Sequence, residues 1–406
     1  MIRIPRFRLA FAVIVALAVF PASLPAQTYT ILHHFGGQDG RNPAAGLSID
    51  NSGSLYGSTY VGGGGSAGTV FKVTHRNGAY IFAPLYSFHV TDGKFPVARP
   101  ILGRDGTIFG TTEEGGTHSY GVAYNLRPSP TPPLSPLAPW NETVVNNFNA
   151  YNGDASAPEG DLAVDSAGNL YGTSNGGGAN GMGAVFKLTK SGSSWTESVL
   201  YSFGGLPDGN SPTGGVTIDA VGNLYGTTYY GGANNRGAVF ELSPSGGGYT
   251  EAVLYSFAGG VEGEYPVAGV ILDPNGKLFG ATTLSDRGGT VFELSPSGGG
   301  WTYTVLWHHF NDSGTEGGPT GNLALDSAGN LYGATQGGGK FNQGQVFKLM
   351  PGIGGYTYTD LHDFTGGAND GSGPRGNVAL DTNGNLFGTT WQGGANNMGV
   401  VYELTR

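Results

Sequence analysis

A short phrase, Leu/Ile-Tyr/Phe-Gly, returns seven times along this 406-residue chain, at Leu55-Tyr56-Gly57, Ile108-Phe109-Gly110, Leu170-Tyr171-Gly172, Leu224-Tyr225-Gly226, Leu278-Phe279-Gly280, Leu331-Tyr332-Gly333 and Leu386-Phe387-Gly388. From aromatic to aromatic the spacings are 53, 62, 54, 54, 53 and 55 residues. A unit of that length has room for four short strands but not for a core of its own, so neighbouring units must bury one another.

The unit around Tyr225 shows the pattern best. It predicts strand A over Gly215 to Asp219, strand B over Asn223 to Tyr229, strand C over Gly237 to Leu242 and strand D over Tyr249 to Phe257. Between A and B lies Asp-x-x-Gly-Asn, a tight turn in which the Asp side chain accepts backbone N–H bonds and Gly takes a positive φ. Six units carry that acid, as Asp50, Asp165, Asp219, Asp273, Asp326 and Asp381, and the second has Gly103 in its place. Four-stranded antiparallel units repeated seven times predict an all-β chain, a seven-bladed β-propeller.

The ends of the pattern say how the ring closes. Tyr29 to Phe35 reads as a D strand without its own A, B and C, and Val400 to Leu404 as a C strand without a D. The strands balance only if the first completes the last blade, which removes most open edge. The 76 Gly and 23 Pro suit a turn-dense chain, and 21 Tyr with 21 Phe supply the apolar surface that disordered chains lack.

Arg3, Arg6 and Arg8, the apolar run Leu9 to Phe20 and the small-residue exit that follows read as a secretory signal over residues 1–26, leaving the propeller to residues 27–406. Without those three Arg the formal charge falls from −10 to −13, which argues against a nucleic-acid partner. No later stretch is apolar enough to span a membrane, and the strand pattern runs to Arg406 without a C-terminal anchor. With no cysteine, the core and ring closure must hold the exported fold without disulfides. The longest spacing comes from a Pro-rich insertion at residues 127–139, between strands C and D of the second blade, which reads as a stiff surface excursion.

The units, such as Gly222-Asn223-Leu224-Tyr225-Gly226-Thr227-Thr228 followed by Gly-Gly-Ala-Asn-Asn-x-Gly-Ala-Val-Phe-Glu-Leu, resemble the tandem repeat called GloVer, found in exported bacterial proteins that use varied surface anchors. The resemblance covers nearly all of residues 27–406. It implies an exported, repeat-built protein and brings no catalytic residues to carry over.

In such blades the D-to-A and B-to-C connections share one face. The D-to-A loops carry acids, among them Asp39, Asp92, Asp208 and Asp370, and the B-to-C loops carry Tyr229, Tyr230, Asn234, Asn235, Trp391, Asn396 and Asn397. Aromatic planes cover apolar sugar faces while amides and carboxylates answer hydroxyls, so this is the candidate ligand surface. The same Asp-Gly, Asn and Gly-Gly sequences are also what tight turns require whatever the function. Two loops break the pattern most, Glu113-Glu114 with His118 in the second blade and Leu284 to Arg287 in the fifth.

Other chemistry finds less support. Asp273 to Gly276 and Asp381 to Gly384 echo a calcium loop but lack its later Glu and full ligand count. His33, His34, His308, His309 and His362 fall at matching places in D strands of three consecutive blades, too far apart for one zinc ion with ligands at ~2 Å. Gly64-Gly65-Ser66-Ala67-Gly68 satisfies Gly-x-Ser-x-Gly within a hairpin that has no following helix. No cofactor is implied. The sequence points to an exported binding or scaffold propeller with a carbohydrate, envelope or protein partner; a polysaccharide lyase or glycoside hydrolase using loop carboxylates, or a structural repeat protein, are the alternatives.

Overall fold

In six repeat units strands A to D hydrogen-bond in chain order as a four-stranded antiparallel sheet, in the seventh the first strand of the chain takes the D place, and the seven sheets make the blades of a β-propeller. The computed structural model describes residues 27–129, 140–286, 288–309 and 317–405. The expected signal at residues 1–26 and residues 130–139 of the Pro-rich insertion lie outside the described residues.

The triplet works through strand periodicity. On strand B of the fourth blade, Leu224–Thr228, side chains alternate between faces. Leu224 joins Phe240, Leu242 and the third blade's Tyr171 and Val185. Tyr225 points the other way, into a cluster with Leu278, Phe292 and Leu294 of the fifth blade. Gly226 shares the Leu224 face, where a Cβ would lie 2.6 Å from the Phe240 ring. Each repeat thus fills half of two interfaces, and seven such clusters link the blades.

Ring closure follows the strand count. Thr28–His34 pairs antiparallel with Val400–Thr405, Tyr29 opposite Leu404 and Ile31 opposite Tyr402. Phe35 then enters a cluster joining Phe387 and Val401 of the seventh blade to Leu55, Phe71 and Val73 of the first.

The A-to-B turns are built as the sequence predicts. Asp219 Oδ1 accepts the N–H groups of Val221 and Asn223 at 3.0 and 2.8 Å, and Oδ2 accepts the Asn223 amide. Gly222 sits at φ 95°. In the second blade, where Gly103 replaces the acid, Asp105 accepts the Thr107 N–H instead. The carboxylates of Asp273 and Asp381 are likewise bonded to their own turns.

Strand A is shorter than the sequence suggests, Thr217–Ile218 in the fourth blade. The cause lies beside the central channel, where the seven A segments crowd together. A Cβ on Gly214 would lie 2.3 Å from the Gly269 nitrogen of the next blade, and one on Gly215 2.3 Å from the Asp161 carbonyl of the preceding blade. There the backbones pack between blades instead of extending the ladder.

His33 and His362 sit in the outer seams between blades. His33 bonds Asp39 at 2.8 Å and stacks on Phe82 of the next blade; His362 bonds Asp370 at 3.1 Å and stacks on Tyr29. Among the described residues no group of three His, Asp or Glu side chains is placed to hold a metal. No helix among them is long and apolar enough to cross a membrane.

A candidate ligand site at the channel mouth

The face formed by the D-to-A and B-to-C loops is hydrogen-bonded rather than loose. In the fourth blade Gly209–Asn210 pairs with Tyr230–Gly231, and the third and seventh blades form the same short ribbon. Before the Pro that opens each A segment, Asn42, Phe95, Ala157, Ser211, Tyr265 and Gly373 take φ between 51° and 62°. For a residue other than Gly this conformation costs about 1–3 kcal/mol, so the surroundings must enforce it. The Ser211 N–H donates to Met182 O of the preceding blade at 2.9 Å, and its carbonyl accepts the Tyr229 N–H at 3.0 Å. Phe95 and Tyr265 are held in the same way.

That double clamp fixes one residue just past strand B in six blades, Tyr60, Glu113, Asn175, Tyr229, Thr283 and Trp391, while in the sixth Gln336 donates its N–H to Gly318 O at 3.4 Å. A cavity of about 460 Å³ at the channel mouth is lined by Tyr229, Thr283 and Gln336 of this set and, from the A segments, by Glu159, Asp161, Asn322, Arg375 and Asn377. Tyr60 stacks on Phe95 at 4.3 Å and leans on Trp391 at 5.5 Å. The Arg375 guanidinium lies 4.0 Å over the Trp391 ring. Across the mouth, Tyr229 stacks on Tyr265 at 5.1 Å.

Charge is placed unevenly. Arg375 is half-buried, its Nε has no hydrogen-bond partner, and burial lowers its pKa. Glu159 accepts a bond from Asn175 at 2.7 Å, and burial raises its carboxyl above the usual range. Glu113 is pushed up to about 7 by burial and by the neighbouring Glu159 and Glu114, against a smaller opposing effect of Lys94. Lys94 itself pairs with Glu114 at 2.8 Å. Beneath the mouth, Asp161 accepts from Arg99 N at 2.8 Å and Arg99 Nε at 3.0 Å. A second cavity of about 700 Å³ continues below, sharing Asp161, Asn322 and Asn377 with the first.

The residues expected to form a site therefore separate into two rings. Tyr229 and Trp391 stand at the mouth. Asp39, Asp92, Asp208 and Asp370 lie farther out, their carboxylates bonded to D-strand side chains and to loop N–H groups, as in the 2.9 Å bond from Tyr201 to Asp208. Asn234 and Asn396 donate to the carbonyls of Phe257 and Phe35, while Asn235 and Asn397 accept the N–H of Gly231 and Gly393. Tyr230 is 41 % exposed and packs edge-on against Tyr229. Of the irregular loops, Glu113 takes the clamped position just past strand B, His118 is exposed at a loop tip, and Leu284 pairs with Glu264. Sequence reasoning missed Glu159 and Arg375; the available signal was that both follow the A-segment Pro, where the other blades have Ala44, Val97, Thr213, Val267 and Thr320.

The family model of the Gloeobacter/Verrucomicrobia repeat matches residues 18–135, 134–317 and 283–406. The chain belongs to that repeat family. No curated protein matches it. Among solved structures, this repeat-family propeller is similar to a Bacteroides uniformis protein described as a candidate 6-phosphogluconolactonase, at 15% identity and TM-score 0.52 over 86% of this chain and 89% of that one. It is also similar to the extracellular domain of a candidate one-component system of B. thetaiotaomicron, at 11% identity and TM-score 0.55 over 92% of this chain and 40% of that one. At these identities the likeness shows the fold alone.

Proposed function

We propose that this propeller is an exported binding module that takes up a carbohydrate or envelope saccharide at the channel mouth. One observation carries the reading: a cavity of sugar size, flanked by Tyr229 and by Arg375 on Trp391, opens on a face whose loops are clamped in place. Aromatic rings supply apolar platforms, and Thr283, Gln336, Asn322 and Asn377 offer donors and acceptors for hydroxyls. The repeat family and the fold fit a non-enzymatic extracellular scaffold, and the neighbour that is itself an extracellular domain is consistent with export.

The test is binding of residues 27–406 to an array of glycans and cell-wall polysaccharides, with Tyr229→Ala and Trp391→Ala alongside. Each variant is expected to weaken binding about threefold to tenfold, the worth of one aromatic contact. Binding unaffected by both places the ligand elsewhere.

A second reading, glycoside cleavage, draws support from Glu113, whose raised pKa beside Glu159 suits a general acid. Product release over time, abolished in Glu113→Gln, would favour it over a binder.

A further inference from the structure

We infer that the unit recognised at the mouth is a zwitterionic sugar, its ammonium held at Glu159 and its carboxylate at Arg375. The inference rests on the binding reading above and deepens it.

Glu159 and Arg375 occupy the same repeat position, on the third and seventh blades, and the other five blades are uncharged there. Both side chains line the one cavity, and neither is neutralised by a partner of opposite charge among the described residues. They do not pair with each other. Of the nearby charges, Arg99 pairs with Asp161 and Lys94 with Glu114.

Burying a charge without a counter-charge is costly, and a ligand bearing the missing charge recovers that cost on binding. A guanidinium held over an indole, on a cavity wall and with no acid paired to it among the described residues, suits a carboxylate. A carboxyl on the cavity wall, held by one amide, suits an ammonium. Two poles on separate blades of one mouth select a ligand that carries both, and Tyr229 lines the same cavity.

The test compares four probes on one scaffold, binding to residues 27–406 by calorimetry: glucose, glucosamine, glucuronic acid, and muramic acid, which carries both an amine and a lactyl carboxylate. Muramic acid is expected to bind about tenfold tighter than either singly charged sugar, and glucose weakest. Arg375→Met should bring muramic acid to the level of glucosamine, and Glu159→Gln to that of glucuronic acid. Muramic acid binding no tighter than glucose to the unaltered protein overturns the inference, whatever the variants do. If neutral oligosaccharides then still bind in a Trp391-dependent way, the binding reading stands and only the zwitterion falls; if no glycan binds, both fall.

Discussion

Asn322 reaches across the channel to Asp161, its Nδ2 3.3 Å from Oδ2, although the two stand 161 residues apart on the sixth and third blades. Arg99 of the second blade binds the same carboxylate. One acid thus joins three blades at the level where the upper and lower cavities meet.

Asp161→Ala should cost about 1–3 kcal/mol in denaturant unfolding, because it strands the half-buried Arg99 charge and removes the acceptor for Asn322. The double variant Arg99→Met/Asp161→Leu should be less harmful than Asp161→Ala alone. Equal losses would mean that the charge pair contributes no more than its packing.

Stability should also report three acids on strand D. Glu142, Glu197 and Glu251 lie at one repeat position of the second, third and fourth blades, each pushed up from 4.5, first by burial and then by Asp92, Asp154 or Asp208, to about 7, 8 and 7. A carboxyl raised in the folded state contributes stability that is fully present below its unfolded pKa and lost as pH rises through the folded value. The triple Gln variant should therefore lose less stability than the parent protein between pH 5 and pH 8. Parallel pH profiles would show that these groups do not titrate differently on unfolding.

Ring closure can be weighed against an ordinary interface. Phe35 and Phe257 are both fully buried at the end of strand D, one at the seam and one inside the continuous chain. Each Phe→Ala change is expected to cost about 3–5 kcal/mol. A much smaller loss at Phe35 would mark the closing blade as frayed.

Gly226→Ala would set a methyl against the Phe240 ring. Overpacking of this kind costs about 1–3 kcal/mol, with little change in secondary structure. A neutral result by thermal melting would show that Phe240 moves aside freely.

The repeat made most of the fold legible. Leu224, Tyr225 and Gly226 each act through alternation along a strand, a local property that reads directly from spacing. The Asp219 turn is equally local, and the missing D strand at Val400 could be counted without coordinates. Strand A was read too long because its limit, the close approach of Gly215 to the Asp161 carbonyl, lies between repeats.

The candidate site was only half legible for the same reason. Tyr229 and Trp391 stood out as aromatics in Gly-rich loops, but Asn234 and Asp208 carry residue types that serve turns and ligands alike, and only their hydrogen bonds show them holding loops. Glu159 and Arg375 draw no attention as single residues among neighbours 216 positions apart in sequence.

The sequence by itself determined the blade count, the strand order, the faces of each strand and the closing partner, because these follow from a period of two within a strand and a repeat of about 54 residues along the chain. The tertiary structure alone decided which repeat positions meet at the axis. Ring closure brings residues from all seven units to one mouth, and whether a charge there finds a partner, as Asp161 does, or faces the cavity without one, as Arg375 does, depends on distances that no linear spacing contains.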